Sequence, residues 1–248
     1  MKYLAVDSST KALSLALIED QTVIAENTLL AEQQHGVLLV PAVAQLLAQL
    51  NWQASDLDGL ITGIGPGSYT GLRVGVTFAK TWANSKQLTL YSVSSLALIA
   101  AAGLVSQVKT IIPIMDARRL SAYTAIYTSQ GGQLEVVVPD AHVDWREWLQ
   151  EVEEQLGDEV ILVGTGIDDF QAAFLAAYPD KLVRKLDDWS AWPHVSKALF
   201  SPWNLEKEAT LLAPNYALAT LAEREWAEKN NMTIASEEDN EAFIEHYT

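Results

Sequence analysis

One order of secondary-structure signals occurs twice along this chain, and it constrains the fold more than any other feature. Residues 3–6 are short and apolar, and the polar turn Asp7-Ser8-Ser9-Thr10 ends them, so they read as a buried strand. Residues 13–19 and 22–28 read as two more strands joined as a hairpin at Asp20-Gln21. Residues 35–50 read as a helix, because Leu39, Val43, Leu46, Leu47 and Leu50 recur at helical spacing and Pro41 falls early, where a helix tolerates it. A short strand at 60–62, a glycine-rich loop at 63–71, a helix at 72–83, a strand at 88–91 and a helix at 95–102 stopped by Gly103 complete the first half.

The second half restarts the order. A strand at 110–115 ends in Asp116, strands at 121–128 and 134–138 flank a turn at Gly131-Gly132, and a helix spans 144–156 with Asp144 as its N-cap. A strand at 160–163, the turn Gly164-Thr165-Gly166 and a helix at 168–177 follow. Asp7 and Asp116 each close the first strand of their half, and Gly65-Pro66-Gly67 and Gly164-Thr165-Gly166 each follow the fourth. The duplication implies an α/β fold of two tandem ribonuclease-H-like lobes, the actin and sugar-kinase architecture, against the alternative of an ordinary α/β chain without internal repeat. The expected division is a lobe at 1–104, a lobe at 105–230 and an acidic tail at 231–248. After Ala177 the pattern weakens to helices at 190–199 and 218–229, with Trp189, Trp192, Trp203 and Trp226 read as packing aromatics.

Charge bears on what such a body can touch. With 16 Lys and Arg against 32 Asp and Glu, the formal charge is −16. Nucleic-acid backbones are held by positive charge that displaces counterions, so this surface is expected to repel tRNA or DNA, and if the chain serves RNA chemistry another subunit must grip the RNA. There is no cysteine for a disulfide, a thiolate metal site or a thiol nucleophile. No apolar run reaches membrane-spanning length and an acid follows the start too soon for a signal peptide, so a soluble cytoplasmic protein is expected.

The most specific run is Gly65-Pro66-Gly67-Ser68-Tyr69-Thr70-Gly71-Leu72-Arg73-Val74-Gly75, set between a strand and a helix. Free N–H groups of a helix start attract anions, so Gly65, Gly67, Ser68 and Gly71, with Asp7, Ser9 and Thr10 of the first turn, form a candidate degenerate phosphate-binding set. The other reading is a tight turn capped by Ser68 or Thr70, since no Gly-Lys-Ser/Thr closes the run as a Walker loop requires. Ser9 stands where a kinase of this architecture keeps a glycine, and its Cβ narrows the room for a phosphate. The four histidines, His35, His142, His194 and His246, lack zinc-pair spacing, and no Gly-x-Ser-x-Gly elbow occurs. No metal ligands or catalytic residues are assigned, and a peptidase has no support.

The first two helices are apolar on more than one side. Val37, Leu38 and Val40 add to the first helix's stripe, and the second carries Val74, Phe78 and Trp82 on one stripe and Leu72, Val76, Ala79 and Ala83 on another. Such helices need two burying neighbours. One is the sheet. The other is either another chain or, if both helices are central, the rest of the monomer. The partner-interface candidates are Val37, Leu38, Val40, Leu72, Val74, Gly75, Phe78 and Trp82, with Gly71 and Gly75 read as a smooth strip for a partner helix.

The run from Gly65 to Arg73 closely resembles the signature of the bacterial TsaB (YeaZ) family, as do Leu4-Ala5-Val6-Asp7-Ser8-Ser9-Thr10, His35 to Pro41, Val93-Ser94-Ser95-Leu96, Asp116-Ala117-Arg118-Arg119 and Pro214-Asn215-Tyr216. At the first helix the usual His-Ser-Glu is His35-Gly36-Val37, which exchanges an acid for an apolar side chain. The resemblance implies the actin/Hsp70/sugar-kinase (ASKHA) superfamily fold. It further implies a non-catalytic subunit docking by its N-terminal lobe onto TsaD, which carries the metal and the active site. With TsaC and TsaE, these proteins install threonylcarbamoyl on N6 of adenosine 37 in tRNAs reading codons that begin with A. It also implies a homodimer when alone, and no cofactor held by this subunit itself, with ATP or ADP at the junction with its partners. The competing expectation is a small-molecule kinase or ATPase of the same architecture, working through Asp7 and the glycine-rich loop.

Overall fold

The computed structural model describes residues 1–105, 108–187 and 189–217. Strands β1 (Lys2–Asp7), β2 (Ala12–Glu19) and β3 (Thr22–Leu30) form an antiparallel meander, and α1 (His35–Gln49) then returns the chain to β4 (Gly59–Gly63), parallel to β1. Helix α2 (Tyr69–Lys86) crosses to β5 (Thr89–Val93), and α3 (Ser95–Ala100) leads out. The second lobe repeats this with β6 (Thr110–Asp116), β7 (Ser121–Gln130), β8 (Gln133–Asp144), α4 (Trp145–Glu151), β9 (Glu159–Val163), α5 (Asp168–Ala177) and β10 (Leu182–Leu186). Its sheet order β10-β9-β6-β7-β8 matches β5-β4-β1-β2-β3 of the first, with the second strand antiparallel in both. These are two ribonuclease-H-like lobes, the architecture of actin and the sugar kinases.

The inner strands β1, β2, β4, β6 and β9 read as apolar runs because both sheet faces are covered there. Along β1 and β2, Leu4, Val6, Leu13, Leu15 and Leu17 meet α1 and α2, while the alternating Ala5, Ala16 and Ile18 meet α3 and the 195–200 turn. In the second lobe Ile112, Ile114, Val160 and Leu162 pack on α4 and α5, and Ile111, Ile161 and Val163 pack on α3. Local signals place the ends. Asp20 and Gln21 take positive φ in the first hairpin, as Gly131 and Gly132 do in the second. The Asp144 carboxylate caps α4 by accepting from the N–H groups of Arg146 at 3.0 Å and Glu147 at 3.3 Å.

Several expectations change. The helix expected at 190–199 is two short 3-10 turns, Trp189–Ala191 and Val195–Phe200, interrupted at Pro193, which disfavours helical backbone at the residue before it. Helix α3 gives way at Ala101 to a 3-10 turn that runs through Gly103, and α4 stops at Glu151. A further strand, β11 (Trp203–Glu206), pairs antiparallel with β5, so this segment of the expected 105–230 lobe lies in the first sheet. Trp226, the helix expected at 218–229 and the tail from 231 lie outside the described residues.

Candidate functional site

Asp7 ends β1 wholly buried, and both carboxylate oxygens are occupied. Oδ1 accepts from the Ser9 N–H at 2.9 Å and the Ser9 hydroxyl at 2.7 Å, and Oδ2 accepts from the Ser95 hydroxyl at 2.6 Å. Ser95 Oγ in turn accepts from the Gly65 N–H at 3.1 Å. Burial pushes the Asp7 carboxyl above its ordinary range; the hydrogen bonds from Ser95 and Ser9 and the charge of His35 offset this only in part.

The glycine-rich loop lies directly on this turn. The Ser68 N–H donates to the Ser9 carbonyl at 2.6 Å, and the Ser8 hydroxyl donates to the Gly71 carbonyl at 2.8 Å. A Cβ at Gly67 would overlap the Ser9 carbonyl oxygen, and one at Gly71 the Ser8 carbonyl oxygen. The glycines therefore serve close backbone approach between the two loops. The Ser68 N–H is thus already bound, and Ser68 Oγ caps α2 through the Gly71 N–H at 3.3 Å. Behind the loop, the Asn215 N–H donates to the Ile64 carbonyl at 2.7 Å, and Tyr216 stacks on Tyr69 with ring centroids 4.8 Å apart.

Of the phosphate candidates, Ser9, Thr10, Gly67 and Ser68 line a cleft of about 970 Å³ between the lobes, while Asp7, Gly65 and Gly71 are buried behind them. Across the cleft Asp116, the counterpart of Asp7, is exposed and accepts from the Arg118 N–H at 2.7 Å. Among the described residues no group of three or more His, Asp or Glu could hold a metal ion, and no helix is long and apolar enough to cross a membrane.

The interface candidates divide. On α1, Val37 is 73% and Val40 60% exposed, with Leu38 half-buried; Gly36, Pro41, Ala44 and Ala48 continue the exposed side. On α2, Val74, Phe78 and Trp82 are half-buried, with Phe78 edge-on to Trp82 at 5.2 Å. Leu72 and Gly75 do not belong with them. Leu72 is fully buried inside the first lobe, and a Cβ at Gly75 would collide with Ser8 Oγ. Gly71 and Gly75 thus seat α2 on its own β1–β2 turn and offer no strip to a partner. Neither α1 nor α2, 15 and 18 residues long, contains an Asp or Glu, in a chain that has 32. Arg73, Lys80 and Lys86 are their only Lys or Arg residues.

Sequence reasoning gave no role to Ser95 or Asn215, which hold Asp7 and the glycine-rich loop in place. Both stand in segments of the family signature, but their contacts cross long stretches of chain that no local pattern records.

Fold and site together define a two-lobed protein of the actin and sugar-kinase class whose glycine-rich loop packs on its own first turn. A family model described as TsaD, tRNA N6-adenosine threonylcarbamoyltransferase, matches residues 24–230. The tRNA threonylcarbamoyladenosine biosynthesis protein TsaB of Bacillus subtilis is 43% identical over 155 residues, covering 62% of this chain and 67% of that protein. The protein of the same name from Escherichia coli is 29% identical, covering 79% of this chain and 76% of its own length. Among solved structures, YeaZ from Pseudomonas aeruginosa superposes with a TM-score of 0.67 at 24% identity, over 87% of this chain and 99% of that one, a likeness of fold. The chain belongs to the TsaB (YeaZ) family.

Proposed function

We propose that this chain is the non-catalytic, activating subunit of the assembly that transfers threonylcarbamoyl to N6 of adenosine 37 in tRNAs reading ANN codons. In this reading it docks through α1 and α2 onto a catalytic TsaD-type subunit, with a TsaE-type partner completing the complex and tRNA held by the others. The observation that carries the reading is the helical face itself. Val37 and Val40 stand in solvent beside half-buried Val74, Phe78 and Trp82, on two helices free of acids in a chain of charge −16. An apolar face of this kind is stabilised by a second chain. The bound Ser68 N–H and the occupied Asp7 carboxylate support a role without phosphoryl transfer, and ATP or ADP is assigned to the junction with partners. When the chain is alone, the same face pairs two copies. The cytoplasm is the assigned compartment.

The test is a modification assay with the matching TsaD-, TsaC- and TsaE-type proteins, with and without this chain. Threonylcarbamoyladenosine should form only when the chain is present, and Asp7→Ala should retain most of that stimulation wherever the variant remains folded. Turnover of ATP in the presence of magnesium by the isolated chain, abolished in Asp7→Ala, would instead establish a kinase or ATPase.

A further inference from the structure

We propose that the α1/α2 face is built for a surface unlike itself: an apolar helical face edged with Asp and Glu, whose carboxylates meet Arg73, Lys80 and Lys86. Charge at this edge selects the docking partner over a second copy of this chain. The inference rests on the docking reading above and names the chemistry of the partner that reading requires.

Helices α1 and α2 carry +3 through those three residues and no acid, which leaves −19 for the rest of a chain of −16. The cations follow the apolar stripe of α2: Arg73 beside Val74, Lys80 between Phe78 and Trp82, and Lys86 one turn beyond Trp82. Two of them are held by neutral groups. Arg73 Nη1 donates to the Tyr69 hydroxyl at 3.1 Å, with the guanidinium 5.4 Å from the centre of that ring, and Lys80 Nζ donates to the Leu212 carbonyl at 2.9 Å. Lys86 stands exposed at the end of α2. Among the described residues none of the three forms an ion pair, whereas Arg184 and Lys185 of the second lobe pair with Glu159, Asp168 and Asp187. Acids outnumber bases two to one in this chain, yet the cations beside its exposed apolar face have no carboxylate of their own. They are open to carboxylates from another surface.

Self-pairing cannot supply those carboxylates from the helices. Two copies related by a two-fold axis bring the same patch to both sides of the contact. Every charged residue that α1 and α2 contribute to it is a cation, so like charges meet and no ion pair forms between the helices. A second copy is held by apolar contact against that repulsion. A carboxylate-edged partner gains the apolar contact and the ion pairs together. The homodimer is therefore the weaker assembly and yields the face to the partner.

The test reverses the edge in the full chain with Arg73→Glu and Lys86→Glu, both exposed side chains. The control makes an equal change of charge on the second lobe with Lys109→Glu and Arg146→Glu, also exposed. Titrated with the TsaD-type subunit at low salt, the edge reversal should lose about tenfold in affinity, and the loss should shrink severalfold at about 0.5 M salt. The control should lose less than about twofold. Mixed in equal amounts with the isotopically labelled parent chain, the edge-reversed chain should form mixed dimers beyond the statistical share, read by native mass spectrometry. Equal losses in the two double variants would reduce the effect to net charge and overturn the proposal. So would mixed dimers at the statistical share. Partner binding that survives the reversal but is lost in Val40→Asp overturns the charge selection and leaves the docking reading standing. Binding indifferent to both changes sinks the docking reading, and the proposal with it.

Discussion

Replacing Gly71 by alanine sets two physical effects against each other, and the structure decides which wins. Gly71 lies in the first turn of α2, where alanine is favoured by helix propensity by up to about 1 kcal/mol. The added Cβ would lie closer than 3.0 Å to the Ser8 carbonyl oxygen. That oxygen belongs to backbone pinned by the Ser9–Asp7 hydrogen bonds and by the Ser8 hydroxyl on the Gly71 carbonyl, so it cannot rotate away. Overpacking against such a group costs about 3 kcal/mol, the upper end of the usual range. The net loss is about 2 kcal/mol, or about 4–8 °C in Tm for a chain of this size. Gly75→Ala is the internal control. Its Cβ meets Ser8 Oγ, a side-chain atom that can turn aside at the loss of one hydrogen bond, about 1 kcal/mol, which propensity cancels. With Ser8→Ala in the background, Gly75→Ala should become stabilising. The assay is thermal unfolding by circular dichroism. A Tm that rises in Gly71→Ala, or equal shifts in the two variants, would refute the close packing of loop on turn.

Two further predictions concern stability. Tyr216→Ala removes the stack on Tyr69 and should cost about 1 kcal/mol, read as a Tm lower by about 2–4 °C, since it fastens the strap from Leu212 to Tyr216. Asp140 accepts from the Ser94 hydroxyl at 2.6 Å and from the Tyr127 hydroxyl at 2.9 Å across the junction of the lobes, and burial holds its carboxyl above the ordinary range despite both bonds. With the folded pKa above the unfolded one, the fold favours the protonated form. The contribution is complete below the unfolded pKa and is lost as pH rises through the folded pKa. Asp140→Asn cannot ionise, so chemical denaturation from about pH 4 to about pH 8 should give a flatter stability profile than the parent chain. A profile parallel to the parent's would contradict this.

The duplicated order was legible because both faces of the inner strands of each sheet are covered, which leaves apolar runs of strand length between turn signals. Segments without that imprint were not. In β10, Arg184 and Lys185 break the alternation, and β11 is a four-residue edge strand whose partner β5 lies over a hundred residues earlier. Periodicity shows that α2 is apolar on two sides but not which side meets the sheet; full burial sets Leu72, and the approach to Ser8 sets Gly75, apart from Val74 and Phe78. The loop at Gly65–Gly71 reads in sequence as a phosphate cradle or as a packed turn; the Ser68 N–H bonded to the Ser9 carbonyl shows the loop packed on the turn. That bond joins residues far apart in sequence, which no spacing rule reports.

The docking claim is tested most directly by titrating the TsaD-type subunit with Val40→Asp in a calorimeter, beside Leu182→Asp as a control on the second lobe. Both side chains are exposed, at 60% and 66%, so neither change burdens the fold of the free chain. Burying an unpaired carboxylate at the interface should cost Val40→Asp about 2–3 kcal/mol, roughly a 30- to 150-fold loss of affinity, with Leu182→Asp indistinguishable from the parent. Unchanged affinity in Val40→Asp would place the partner elsewhere and contradict the account.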